Sequence, residues 1–567
     1  MSGKLDFFQE KISLQDPNHV EQKLAQLLQK EIHSVEDLEQ FLLEETELIE
    51  AIDEVLSGDY IAFNRYNNDP EIKKRYEHNQ EVIQPLLKKY EALLDKKFYE
   101  SPYREQLDQQ KYNVLIKSKV NSIEIFREEN ISLQVKEDQL HNRYFEITGS
   151  ITIDWNGEEK TIPQMRKFLM SSDRQIREKA WNLIWDEVGS KEQQLNEIMN
   201  ELIRLRHQIA QNAGFKTYRD YMFKKYERFD YTPEDCFQFH DAVEKHVVHL
   251  VQEIKKKHQL EIGVEDYRPW DTQAIPKGQE PLIPFKEADE LVKGTIDIFE
   301  QLDPVFAKLV QDMNDHDLLD LESRKAKSPG GFCSSLPVTG LSFIFMNAVG
   351  TQDDLSTMVH EGGHCIHNLL AKEQALANYK SAPMESAEVA SMAMELFTID
   401  KWDRFYQDET DLKRAQKEHI EGIISFFPWA MVVDRFQHWI YENPQHSIKE
   451  RNKVFMDLIQ RFTLPGINID GVEEKIKLRW LLQLHIFEVP FYYIEYAVAQ
   501  LGALQLWKKY TEDPKGAIAG YKEALALGGS KSLPDVYATA GIKFDFSTDM
   551  IQEMMQFAKV QLDRLKS

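Results

Sequence analysis

Over most of the chain, apolar residues recur every three to four positions between charged ones, clearly so from Val35 to Leu56 and from Ile176 to Asn212. That period is the helical one, and it predicts amphipathic helices along most of the length. One stretch departs from it. Phe145, Ile147, Ile151, Ile153 and Trp155 alternate with mostly polar neighbours and are followed by Asn156-Gly157. Alternation is strand periodicity, and Asn-Gly is the strongest two-residue hairpin signal. A small β-hairpin over 144–162 is predicted, as a strap on a helical body.

Pro269, Pro276, Gly278, Pro281 and Pro284 mark the stretch 261–284 as a surface loop or a crossing between lobes. A second irregular stretch, Ser328-Pro-Gly-Gly-Phe-Cys-Ser-Ser-Leu-Pro337, leads into Ser342-Phe-Ile-Phe-Met346, an apolar run suited to a strand. Asn347 to Gln352 turns the chain. A helical pattern then begins after Asp353-Asp354, whose charges favour a helix N-terminus. The organisation expected is an N-terminal helical region over 1–165 and a second region over 166–567 that holds the motif read below.

Composition narrows the functions available. The 567 residues include 69 Lys+Arg against 95 Asp+Glu, a formal net charge of -26. A surface this acidic repels phosphate backbones, so nucleic acid is not an expected partner. Three cysteines, Cys236, Cys333 and Cys365, do not make a disulfide framework and fit a reducing compartment. The N-terminus shows no secretory pattern. The conspicuous apolar run Ile423 to Val433 is interrupted by Pro428 and is short of the ~20 residues a membrane span needs. A cytoplasmic protein with no membrane partner is expected.

The chemistry lies in Leu355-Ser-Thr-Met-Val-His360-Glu361-Gly362-Gly363-His364-Cys365-Ile366-His367. His360 and His364 are four apart, one above the other on one helix face, and can reach a single zinc ion. Glu361 is the next residue round the helix, placed to take a proton from a water that the ion activates. Two consecutive glycines inside a helix cost about 1 kcal/mol each relative to alanine. Close approach of substrate or of backbone beside the metal would account for them. A catalytic site needs a third protein ligand. The metzincin pattern fails, because His367 and Leu370 stand where it needs glycine and histidine. Downstream, Glu385 and Glu388 are both candidates by spacing. Glu395, seven residues after Glu388, could accept a hydrogen bond from a ligand imidazole.

The stretch Met346 to His367 resembles the thimet oligopeptidase / oligoendopeptidase F family of zinc peptidases, matching its His-Glu-x-Gly-His-x-x-His helix at His360, Glu361, Gly363, His364 and His367. The segment Glu388-Val389-Ala390-Ser391 matches the family's next helix, so the resemblance favours Glu388 over Glu385 as third ligand and leaves His367 outside the set. Residues 201–218, with Arg206 and Gly214, and the tail around Leu527-Gly-Gly-Ser530 and Ala540-Gly541 look like the oligoendopeptidase F branch. His485-Ile-Phe-Glu-Val-Pro490-Phe-Tyr492-Tyr493-Ile-Glu-Tyr496 is similar to the family's tyrosine-rich segment. It implies Tyr496 as the oxyanion donor, with Tyr493 and His485 binding or orienting substrate, the choice among Tyr492, Tyr493 and Tyr496 being open. The run 341–346 resembles the strand along the family's cleft, whose exposed edge could pair with an extended peptide.

What the resemblance implies is a mainly α fold: a helical bowl of two lobes around a deep substrate channel, with a small β element beside the zinc helix. It also implies a one-zinc endopeptidase acting on oligopeptides. A dipeptidyl carboxypeptidase on the same zinc site, or a non-catalytic helical peptide-binding protein, are the competing readings. Cys333 and Cys365 are expected as small buried residues rather than functional thiols.

Overall fold

The computed structural model describes residues 12–565. The chain is mainly helical, with two small sheets. It divides into two compact units, each gathered from separated stretches: 1–124, 282–416 and 499–544 in the first, 125–281, 417–498 and 545–567 in the second.

In the first unit, the helical periodicity read from Val35 onward gives a helix over Val35–Arg65. Ser34 caps it by accepting the Asp37 amide, and Glu36 and Asp37 complement its N-terminal dipole. Its apolar stripe, Leu38, Phe41, Leu42 and Leu48, is buried with Leu94, Phe98 and Leu115 of later helices and with Leu376 and Tyr379. Lys119 is buried beneath that core between Asp95 (2.6 Å) and Glu45 (3.0 Å). A buried ammonium is tolerable only when paired in this way.

The same unit holds the three-stranded sheet, in the order β3 (Leu319–Glu322), β5 (Leu341–Ala348), β4 (Phe332–Leu336). β3 runs parallel and β4 antiparallel to β5. The run 341–346 is therefore the middle strand, with both edges occupied. Its unbroken burial from Ser342 to Met346 is what a strand covered on both faces requires. The expectation of an exposed edge there is corrected: the outer strands of the sheet are β3 and β4. Asp320 on β3 fastens the sheet to the long helix by accepting from Arg65 (2.8 Å), and it also pairs with Lys327 (2.8 Å) and Arg324 (2.5 Å).

In the second unit, the hairpin is shorter than its sequence pattern suggests. β1 is Thr152–Trp155 and β2 is Glu158–Thr161. Asn156 and Gly157 both have positive φ (59° and 88°), the backbone the Asn-Gly turn calls for. Phe145 and Ile147 belong instead to the helix Glu128–Gly149. Arg206 is fully buried in this unit. It donates to Glu137 (2.6 Å) and to the Tyr441 hydroxyl (2.6 Å), so it is a structural tie between helices.

Candidate active site

The histidine-bearing helix spans Gln352–Ala371. It starts where the sequence supplies a capping box. Thr351 accepts the Asp354 amide, and the Asp354 carboxylate accepts the Thr351 amide at 2.8 Å. Leu355, Met358, Val359 and Ile366 form its buried stripe. His360 and His364, one turn apart, hold their rings 5.0 Å between centroids and nearly perpendicular at 83°.

The two glycines face protein. A Cβ on Gly363 would stand 2.6 Å from Ser391 Cα and 2.7 Å from the Ala390 carbonyl oxygen. The helix Met384–Thr398 therefore approaches by backbone, and only glycine lets it. On Gly362 a Cβ would meet the Phe299 ring at 2.8 Å. Of the two explanations open from sequence, backbone approach is the one found at Gly363; what the close packing does is bring a second helix within reach of the histidines.

That second helix delivers Glu388, buried, with Oε2 3.3 Å from His360 Nε2 and 3.7 Å from His364 Nε2. Donor atoms of the three residues all lie within 4.8 Å of one another. Ser391 Oγ steadies the carboxylate by donating at 3.1 Å. Behind His360, Glu395 Oε1 lies 2.7 Å from Nδ1. That contact assigns the ring proton to Nδ1 and turns the Nε2 lone pair toward Glu388. Glu385, also buried, lies outside the converging set.

Two imidazole nitrogens and a carboxylate oxygen facing one point fit a borderline divalent cation with an open position, and zinc first. The electrostatics agree. Burial favours neutral imidazole at His360, yet Glu388 and Glu395 hold its pKa well above the ordinary value. Burial depresses His364 to about 4. Glu388, despite burial, is held below the usual carboxylate range by the two imidazoles. The point between them carries a strong demand for one positive charge.

Glu361 lies beside that point and is buried, and burial pushes its carboxyl up to about 7. The backbone N–H of Cys333, on β4, bonds the carboxylate. The same strand brings Cys333 Sγ to 3.4 Å from Cys365 Sγ, Cys365 being fully buried and Cys333 partly so. A cavity of about 580 Å³ in this unit opens against His364 and is also lined by His367, Ser335, Tyr60 and Asp53. Burial and the neighbouring His364 push the His367 pKa down to about 3, so it stands there as neutral imidazole outside the ligand set.

The tyrosine-rich segment belongs to the second unit. The rings of Tyr493, Tyr496 and Tyr492 lie 4.8, 5.8 and 6.3 Å from that of His485. Gln483 Nε2 is 2.7 Å from His485 Nδ1, and burial lowers the His485 pKa to about 4. The chain enters this cluster through Phe491, a bulky residue at φ 69°. Such backbone is strained and persists only where the surroundings over-determine it. Here Gln437 accepts the Phe491 amide at 2.8 Å, while Arg228 donates to the Phe491 carbonyl and to Glu495 (2.7 Å). Periodicity does not announce this clamp; charged residues at fully buried positions are its only sequence trace.

The sequence profile of peptidase family M3 matches residues 168–556. Among curated proteins, oligopeptidase PepF of Bacillus subtilis (strain 168) is 23% identical over 434 residues, covering 74% of this chain and 62% of that protein. The oligoendopeptidase F homolog of Borreliella burgdorferi is 25% identical over 254 residues, 44% of this chain and 42% of that protein. The chain thus spans less than two thirds of the length of these relatives. A solved structure of Pz peptidase A with an inhibitor superposes with a TM-score of 0.89 at 26% identity, over 99% of both chains. Oligoendopeptidase F from Enterococcus faecium shares the fold, with a TM-score of 0.65 at 15% identity over 97% of this chain and 98% of that one. The chain belongs to peptidase family M3.

Proposed function

We propose that this member of peptidase family M3 is a zinc-dependent endopeptidase that hydrolyses internal bonds of short oligopeptides. The observation that carries the reading is the convergence of His360 Nε2, His364 Nε2 and Glu388 Oε2 on one point, with the buried Glu361 beside it on the helix. Relatives named oligopeptidase and oligoendopeptidase support it. His360, His364 and Glu388 would hold the zinc ion, which when bound would supply Lewis acidity to a water and to a carbonyl.

The chain's own groups supply the rest. Glu361 accepts a proton from the attacking water and returns it to the leaving amine. A carboxyl raised to about 7 is matched to doing both near neutral pH. The Cys333 amide fixes which way that carboxylate faces. β4, an outer strand of the sheet next to the histidine helix, offers an extended peptide its main-chain groups other than the Cys333 amide, which Glu361 occupies. From the tyrosine cluster we assign Tyr496 to the oxyanion, with Tyr493 and a neutral His485 orienting the substrate. The acidic composition and three cysteines fit a cytoplasmic enzyme, and among the described residues no helix is long and apolar enough to cross a membrane.

The test combines a chelator with product mapping. An internally quenched peptide blocked at both ends should be cut, the cleavage lost on chelation and restored by zinc, with mass spectrometry locating an internal bond. Activity indifferent to chelation would refute the metal. Release of C-terminal dipeptides only, from unblocked peptides only, would replace the endopeptidase with a dipeptidyl carboxypeptidase.

A further inference from the structure

A second convergence of donor side chains lies in the other unit. The helix Pro233–His246 carries Cys236 and His240 four residues apart. The helix Glu409–Glu442 carries Asp434 and His438 four residues apart. Each pair stands on one helix face. All four residues are at most 1% exposed. A sulfur of Cys236, an oxygen of Asp434 and a nitrogen of His438 lie within 4.8 Å of one another.

The hydrogen bonding of this cluster is incomplete in a particular way. His240 Nε2 lies 2.8 Å from Asp434 Oδ2. The Arg435 guanidinium approaches His240 Nδ1 at 3.5 Å, so Nδ1 accepts and Nε2 donates to the carboxylate. The other carboxylate oxygen, Asp434 Oδ1, has no hydrogen-bond partner, and neither has His438 Nδ1. His438 Nε2 lies 3.2 Å from Asp434 Oδ2, on the carboxylate oxygen that His240 also bonds. Each buried polar atom left unsatisfied costs about 1–3 kcal/mol. Two of them, Asp434 Oδ1 and His438 Nδ1, in one fully buried cluster require a partner. Phe237, Phe491 and Phe223, with ring centroids 4.8, 5.3 and 6.1 Å from that of His438, leave little that is polar to serve.

We propose that Cys236, Asp434 and His438 hold a second divalent metal ion, with His240 positioning the carboxylate. A thiolate, an imidazole and a carboxylate oxygen make a mixed soft and borderline donor set, which selects zinc among the common biological cations. The construction repeats that of the first site. There, His360 and Glu388 face each other at 3.3 Å and Glu395 orients the imidazole; here, His438 and Asp434 face each other at 3.2 Å and His240 orients the carboxylate. Full burial with no adjoining cavity among those described makes this ion a staple between two helices rather than a reaction centre.

The test uses the full-length protein without a metal-binding tag. Zinc analysis should give two ions per chain for the wild type, one for the double variant His360→Ala/His364→Ala, and one for Cys236→Ser. Cobalt replacement gives a second readout that needs no variant. The first site has no sulfur ligand, so a thiolate-to-cobalt charge-transfer band in the near ultraviolet reports Cys236 alone. That band should appear in the wild type and persist in the His360→Ala/His364→Ala protein. A single zinc per wild-type chain that disappears in the His360→Ala/His364→Ala protein, or cobalt-loaded protein lacking the band, would overturn the proposal and leave a metal-free buried His–Asp–His network. Failure of the first site shows differently: the double variant would then bind as much zinc as the wild type.

Discussion

Gly363→Ala tests how the first site is built without touching a ligand. The added Cβ would stand 2.6 Å from Ser391 Cα and 2.7 Å from the Ala390 carbonyl oxygen, and both are backbone. Relaxing these to an ordinary contact of about 3.4–4 Å moves the histidine helix and the glutamate helix apart by roughly 1 Å. Two stability effects oppose each other. Alanine gains about 1 kcal/mol of helix propensity over glycine, and overpacking costs about 1–3 kcal/mol. The net loss of fold stability is therefore small, about 0–2 kcal/mol. The loss at the site is not small. His360 and His364 ride one helix and Glu388 the other, while metal–ligand distances tolerate only about ±0.2 Å. A misplacement near 1 Å at a reacting centre costs about 10²-fold. The variant should melt near the wild type, yet lose metal to a chelator far more readily and cut peptide at about one hundredth the rate or less. Gly362→Ala is the comparison, because its Cβ meets a side chain, the Phe299 ring at 2.8 Å, and not the backbone of the glutamate helix. A Gly363→Ala protein with wild-type metal retention and activity would refute the argument that helix spacing sets the ligand geometry.

Glu361→Gln should keep its metal and lose ~10²-fold or more in kcat; full turnover by metal-loaded protein would remove Glu361 from the mechanism. Glu395→Gln, which weakens the acceptor 2.7 Å from His360 Nδ1, should loosen the metal about 10–100-fold in a chelator competition, and an unchanged affinity would show the contact to be incidental. His141 gives an acid-stability prediction in the second unit. Burial first, then the Arg206 charge, lowers its folded pKa to about 4 from the ordinary 6.5. The stability it contributes is present above pH 6.5 and lost as pH falls toward 4, up to about 3 kcal/mol. Urea midpoints of wild type and His141→Gln should therefore converge as the buffer is taken from pH 7 to 4; parallel curves would contradict it. For His485, lowered to about 4, the pH profile of a His485→Gln enzyme should parallel the wild type between pH 5.5 and 8, a step near 6.5 telling against a neutral ring.

What was legible in the chain was what is local. Four-residue spacing put His360 and His364 on one face, and Thr351 with Asp354 announced where their helix begins. Spacing left Glu385 and Glu388 equal. The resemblance preferred Glu388, and in the structure it is Glu388 whose carboxylate faces both imidazoles. Phe145 and Ile147 misled because a few alternating residues are ambiguous between strand and helix end. Tyr144, packed at 4.1 Å on Phe487, sets that face, while Phe145 is 42% exposed. The central position of 341–346 could have been read from its unbroken apolar run, since an edge strand with one wet face alternates. The second convergence was missed although both its pairs have helical spacing, because nothing local says that residues 236 and 434 meet.

The glutamate helix is held by the last stretch of its unit: the Tyr521 hydroxyl donates to the Ala390 carbonyl at 2.8 Å, and Gly502 lies against Val389. During synthesis, about 150 residues separate Glu388 from the end of that stretch at 544. At 5–20 residues per second the ribosome takes roughly ten to thirty seconds to supply them. For that interval both imidazoles and the carboxylate are already in the chain while the support for their spacing is still being made. If the three donors hold an ion as proposed, its durable capture waits on the stretch 499–544, and a chain truncated after residue 498 should bear every proposed ligand yet retain the ion poorly.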